Sequence, residues 1–223
     1  MANPSRLIIY GTGGLGREVH DIVQRINQVE PTYEIQGWID DNLVLAGTSV
    51  RGLPVLGTQE WLERHAGQAL QVVVAVGIPE IRRRLFLAVE KLGHICESII
   101  DPSVIIGGAV TIGHGAILMQ NAVLTADVSL GKGVIMNAGC VAAHDSRLAD
   151  FATMAPLSGL MGYAGVDEGA NLGAGAIVLP SVTAGAWSIL GAGTILTEAN
   201  EPNTTVVGTP GKVIKQREAG WHL

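Results

Sequence analysis

Aromatic side chains make up only 4% of this chain of 223 residues, although 48% of it is hydrophobic and 30 positions are glycine. Its core therefore has to be assembled from aliphatic and very small side chains, and so much glycine points to tight, repeated turns. Cysteine is nearly absent. Cys96 and Cys140 form neither a metal-ligand spacing nor a disulfide framework, and both are expected as buried free thiols. Positive charge is also short, with 14 Lys and Arg against 20 Asp and Glu, a net charge of -6. A nucleic-acid partner needs a concentrated basic surface, and the short runs Arg82–Arg84 and Lys212, Lys215, Arg217 do not supply one. No apolar run approaches the roughly 20 residues that span a bilayer. The opening MANPSRLIIYG lacks an apolar signal segment. These absences lead us to expect a soluble, cytoplasmic protein with no membrane or nucleic-acid partner.

What is present falls into two parts with different periods. From residue 6 to about 97, strand-like RLIIY, YEIQGWID and QVVVAV alternate with helix-like GREVHDIVQRINQ, TQEWLERHA and PEIRRRLFLAVEKL, the pattern of a small parallel α/β sheet. From Ile100 onward every sixth residue to Leu196 is apolar, without insertion. Four places further along each hexad, from Val110 to Thr194, every residue is small or β-branched. A helical period near 3.6 cannot sustain both constraints, whereas a hexapeptide β-helix requires them. The expected domains are 1–97 and 98–223.

The second part holds a His-Asp pair, His144 and Asp145, in the stretch AAHDSRLADF. Neutral imidazole accepts a proton near pH 7 and a neighbouring carboxylate can fix its tautomer. A lone histidine on a turn is equally a solvated side chain, and adjacent residues in extended chain point apart. The first part holds GTGGLG, Gly11–Gly16, between a strand and a helix, with Asp40 and Asp41 at the end of the next strand. Taken alone this is a dinucleotide fingerprint. About 97 residues, however, make one mononucleotide half rather than two, so one nucleotide is expected in preference to NAD.

The hexads resemble those of the left-handed parallel β-helix transferases, whose triangular coils take 18 residues each. The longer run AAHDSRLADFATMAPLSGLMGYAGVDEGANLGAGAIVLPSV, the first domain and the closing VVGTPGKVI resemble the bacterial sugar acyltransferases that include sialic-acid O-acetyltransferase and the UDP-4-amino-sugar N-acetyltransferases. The family motif is a His followed by an acid, then IGDF, a coil later LAGNV, then IGxGAxVLPxV, and a final GxPAKxI. The resemblance implies an α/β Rossmann-like half domain followed by an all-β left-handed parallel β-helix. It implies acetyl-CoA as co-substrate, a sugar acceptor, and a homotrimer with sites between subunits.

Carried over by position, His144 is the general base and Asp145 its orienting acid. Gly162, one coil further on, offers its amide to the oxyanion and to the coenzyme, and Thr153, Ala174 and Ala192 match coenzyme contacts. In the first domain, Gly13, Gly14 and Leu15 face the phosphates or the sugar, and Asp40 and Asp41 lie near the uridine of a UDP-sugar. Leu15 departs from the GHG of many members, where a histidine stands. No metal is expected, because His114 and His144 are five hexads apart and five is not a multiple of three.

Three readings compete: a sugar acetyltransferase, most simply for a UDP-4-amino-sugar; an O-acyltransferase for a non-nucleotide acceptor such as sialic acid or serine; and a non-catalytic nucleotide-binding scaffold.

Overall fold

The computed structural model describes residues 4–222; residues 1–3 and 223, which the expected domains include, lie outside the described residues. Two compact units meet between Pro102 and Ser103. Near the end of the first unit, Asp101, only 2% exposed, accepts a 2.6 Å hydrogen bond from Arg25 Nε of the first helix.

In the first unit, β1 (Ser5–Tyr10), α1 (Gly14–Val29), β2 (Tyr33–Ile39), β3 (Ser49–Val50), β4 (Leu53–Gly57), α2 (Gln59–Arg64), β5 (Gln71–Val74), α3 (Pro79–Lys91) and β6 (Ile95–Cys96) follow in order. They build one sheet with strand order β3-β4-β2-β1-β5-β6, in which only β3 and β4 are antiparallel. Leu7, Ile8, Ile9 and Tyr10 of β1 are all buried, as a central parallel strand covered on both faces requires. Helix α1 covers the sheet with Val19, Ile22 and Val23, whose spacing makes one apolar stripe. The chain leaves β1 toward β2 on one side and returns through β5 on the other. The C-terminal end of β1 is therefore a topological switch point, where open α/β sheets bind ligands. The loop beside it, after β5, is fixed by buried Arg82, which donates to the carbonyls of Val76 and Gly77 at 3.0 Å each. Burial pushes that guanidinium down to about 9.

The second unit is a left-handed parallel β-helix. Sixteen two-residue strands recur every six residues from Ile105–Ile106 to Ile195–Leu196. Each pairs in parallel with the strand 18 residues away, as Leu118 with Met136, Met136 with Met154 and Met154 with Leu172. The second residue of each strand points inward, and from Leu118 to Leu196 these positions are buried. Ile106, at 46% exposed, and Ile112, half-buried, depart from this because the first coil has a neighbour on one side only within this unit. The small residues expected at the fifth position, among them Ala122, Cys140, Ser158 and Ala176, are buried where the chain turns inward again.

Every hexad from Ala109 to Gly193 places its fourth residue at positive φ. Glycine meets this turn at six of these positions, but Phe151, Leu157, Tyr163 and Trp187 hold φ values of 55–62° with bulky side chains. Each such residue costs about 1–2 kcal/mol relative to a right-handed backbone. After the last coil, Thr204–Val207 pairs antiparallel with Lys212–Gln216, the expected VVGTPGKVI segment, and closes the sheet edge left by Ile189–Leu190.

Candidate active site

His144 lies on the turn between strands Val141–Ala142 and Arg147–Leu148, the third residue of its hexad, with its side chain 58% exposed. The following residue, Asp145, has φ +59°, and this reversal brings neighbouring side chains to the same side. Nδ1 of His144 stands 2.9 Å from Oδ2 of Asp145. An ionised carboxylate accepts a hydrogen, so Nδ1 carries it and the lone pair lies at Nε2. The geometry that extended chain would forbid is supplied by the left-handed turn.

One coil on, Gly162 lies directly over the imidazole. A Cβ built on Gly162 would approach His144 Cε1 to 2.6 Å and Nε2 to 2.7 Å, so only glycine fits there with the ring as it stands. The Gly162 carbonyl accepts from Ser181 N–H at 3.1 Å, while its own N–H donates to no backbone group among the described residues. Gly162 and the Nε2 face of His144 thus lie on successive coils of one edge.

Tyr163, which the sequence reading passed over, completes this edge. Its ring meets the His144 ring edge to face, centroids 5.4 Å apart and planes at 88°. It occupies the Asn position of the LAGNV motif. The one signal in the sequence was its place beside Gly162.

The expected coenzyme residues divide. Ala174 and Ala192 are exposed and stacked on successive coils, Gly193 N–H donating to Ala174 O at 2.8 Å. They run along the edge on the other side of the face formed by Val141–Ala142, Gly159–Leu160 and Ile177–Val178. Thr153 is different: it is 5% exposed and lies within a strand, away from both edges. His114 sits on the third edge, between Thr111–Ile112 and Ile117–Leu118, apart from His144. Among the described residues no three His, Cys, Asp or Glu side chains converge as a metal site.

In the first unit Gly13 and Gly14 are exposed at the start of α1, and a Cβ on either would meet nothing within 4 Å. Gly13 caps the helix without a side chain, and no acidic residue occupies the first turn. Such an N-terminus is suited to an anion. Gly16, by contrast, packs against the Gly11 carbonyl, where any side chain would collide. Leu15 is half-buried.

The two acids differ in what they do. Asp40 Oδ2 accepts from both Thr12 N–H, at 2.9 Å, and Thr12 Oγ1, at 2.6 Å, while its Oδ1 accepts from Asn42 N–H at 3.0 Å. Desolvation works against its charge, but these hydrogen bonds outweigh it and hold the carboxyl below the usual range. Asp40 thus fastens the glycine-rich loop. Asp41 is exposed and accepts from Tyr10 Oη at 2.8 Å and from Gln59 N–H at 3.1 Å. Burial, then the hydrogen bond and charge of Asp41, push the Tyr10 phenol well up, so it stays a donor. Both acids border a cavity of about 210 Å³ with Tyr10, Val76, Ile81 and Arg84. Tyr10 and Arg84 were not singled out in the sequence, although Tyr10 immediately precedes GTGGLG.

Comparison with known proteins gives this geometry a context. The domain family described as the PglD N-terminal domain matches residues 6–89. The acetyltransferase domain of PglB from Neisseria gonorrhoeae is 30% identical, with a TM-score of 0.87 over 94% of this chain and 99% of that one. The chain belongs to the hexapeptide-repeat sugar acyltransferases of bacteria. PerB from Caulobacter crescentus, solved with CoA and GDP-perosamine, is 29% identical with a TM-score of 0.87, covering 95% and 98% of the two chains. GDP-perosamine N-acetyltransferase of Escherichia coli O157:H7 is 29% identical over 175 residues, 78% of each chain. Among the described residues of this member, no helix is long and apolar enough to cross a membrane.

Proposed function

We propose that this enzyme transfers the acetyl group of acetyl-CoA to the amino group of a nucleotide-linked amino sugar, with His144 as general base. The observation that carries the reading is one edge of the β-helix: an exposed imidazole held by Asp145 at Nδ1, with Gly162 N–H one coil away. As the acceptor nitrogen attacks the thioester carbonyl, a C–N bond forms and the nitrogen sheds a proton to His144 Nε2. Asp145 offsets the charge of the imidazolium. Gly162 N–H donates to the carbonyl oxygen as it becomes an oxyanion. The C–S bond then breaks and CoA leaves as the thiolate, which takes the proton from the His144 imidazolium and restores the neutral base.

The coenzyme is assigned to the edge carrying Ala174 and Ala192, where small exposed residues leave room. Thr153, buried within its strand, is not assigned to that edge. Because a full strand face separates this edge from His144, one chain does not enclose a thioester. A homotrimer is therefore part of the proposal, and the exposed apolar residues Val141 and Leu157 support it.

The nucleotide is assigned to the end of β1, with phosphate at Gly13 and Gly14 and the Asp41 side of the cavity toward nucleoside. Leu15 presents an apolar surface where many family members offer a histidine. Relatives named for GDP-perosamine favour a GDP-sugar over the UDP-sugar that the sequence suggested. Thiol release from acetyl-CoA, measured with GDP-perosamine, UDP-4-amino-sugars and free sialic acid, tests the reading. Turnover only with sialic acid would move the enzyme to O-acylation, and none with any acceptor would favour the scaffold.

A further inference from the structure

We propose that Tyr163 is a positioning residue for His144, holding the imidazole edge-on so that Nε2 stays aimed at the acceptor. This rests on the assignment of His144 as the base.

The two residues are joined twice. Tyr163 N–H donates to the His144 carbonyl at 3.0 Å across the coil, and the rings meet at 5.4 Å and 88°. An edge-to-face pair is attractive because the positive rim of one ring meets the negative face of the other. Asp145 alone does not immobilise the base, since both members of that pair are on an open turn, 58% and 39% exposed. The carboxylate can swing with the imidazole it holds. Gly162 bounds the ring from the next coil, and Tyr163 bounds its flank, so the orientation is supported from two sides besides Asp145.

Backbone conformation argues that the tyrosine is present for its side chain. Tyr163 has φ +61°, a region that asparagine enters far more readily than an aromatic residue. The equivalent positions along the same edge are Ala109, Asp127, Asp145 and Ser181, all small or short and polar. Tyr163 is 62% exposed, so burial in its own chain does not account for it either. The contact it makes is with the base.

Tyr163→Phe and Tyr163→Asn separate ring from hydroxyl and side chain from backbone. With acetyl-CoA and GDP-perosamine as probes, the Phe variant should keep kcat within about twofold. The Asn variant should fold with equal or higher Tm, keep its KM for acetyl-CoA, and lose about three- to tenfold in kcat, the range of an aromatic pair. In NMR spectra of the wild-type protein the His144 Cε1–H should carry a ring-current shift that Phe retains and Asn abolishes. An Asn variant with wild-type kcat and an unmoved His144 resonance overturns the proposal; so does a Phe variant as impaired as Asn. Should His144→Ala turn over normally, or GDP-perosamine not react, the base or acceptor assignment falls. The resonance then decides on Tyr163 by itself.

Discussion

His144 and Gly162 are 18 residues apart in sequence and in contact across one coil, so close that a methyl group on Gly162 would stand 2.6 Å from the imidazole Cε1. Gly162→Ala should therefore displace the ring rather than unfold the coil, because the imidazole is exposed and free to move aside. Turnover is expected to fall about 100-fold, the cost of roughly 1 Å of misplacement at a reacting centre. Steady-state kinetics beside a thermal melt will show this; wild-type kcat in the Ala variant would mean that the ring position does not matter.

His144→Ala should leave the fold intact and lower kcat by about two to four orders of magnitude, the contribution of a general base. Asp145→Asn should be milder, at roughly 10–100-fold, matching the 1.5–3 kcal/mol of a hydrogen bond to a charged group. Both are measured by thiol release at saturating substrates. Equal turnover in all three proteins would remove this edge from the mechanism.

Val141 projects outward from the face between the two proposed substrate edges and is 37% exposed. Val141→Glu should leave the β-helix folded but repel a second copy at that face, giving monomers by analytical ultracentrifugation and little activity. A fully active monomer, wild type or variant, would contradict the shared site.

Asp40 titrates below its usual range in the folded protein, so its contribution to stability is complete above the unfolded value of roughly 4 and is lost as pH falls through the folded one. Asp40→Asn should lower stability at pH 7 by about 1–3 kcal/mol through the weakened Thr12 and Asn42 hydrogen bonds. The gap from wild type should then narrow below about pH 4. Melting curves from pH 7 to pH 3 test both parts; a gap that widens toward acid would have the wrong sign.

Much of this molecule is legible in its sequence because a solenoid repeats local rules. Leu118, Met136, Met154, Leu172 and Leu190 share a period of 18, so each coil's core follows from its neighbour's, and strand pairing needs no long-range information. By the same arithmetic His144 and Gly162 fall on one edge and His114 on another. The half-sized α/β domain was equally visible, since strands and helices differ in apolar period.

Side-chain direction was decided only in three dimensions. Sequence order sets His144 and Asp145 side by side but not facing; the positive φ of Asp145 turns them together. Asp40 and Asp41 look alike in sequence and both border the cavity, yet Asp40 is engaged by Thr12 and Asn42 while Asp41 is held by Tyr10 Oη and Gln59 N–H. Tyr163 stands where the LAGNV motif has asparagine, and only the structure shows that its ring meets that of His144 one coil away. Periodicity fixes which residues stack, because stacking follows from spacing; what a side chain touches depends on backbone torsions and on partners from other coils, which spacing does not encode.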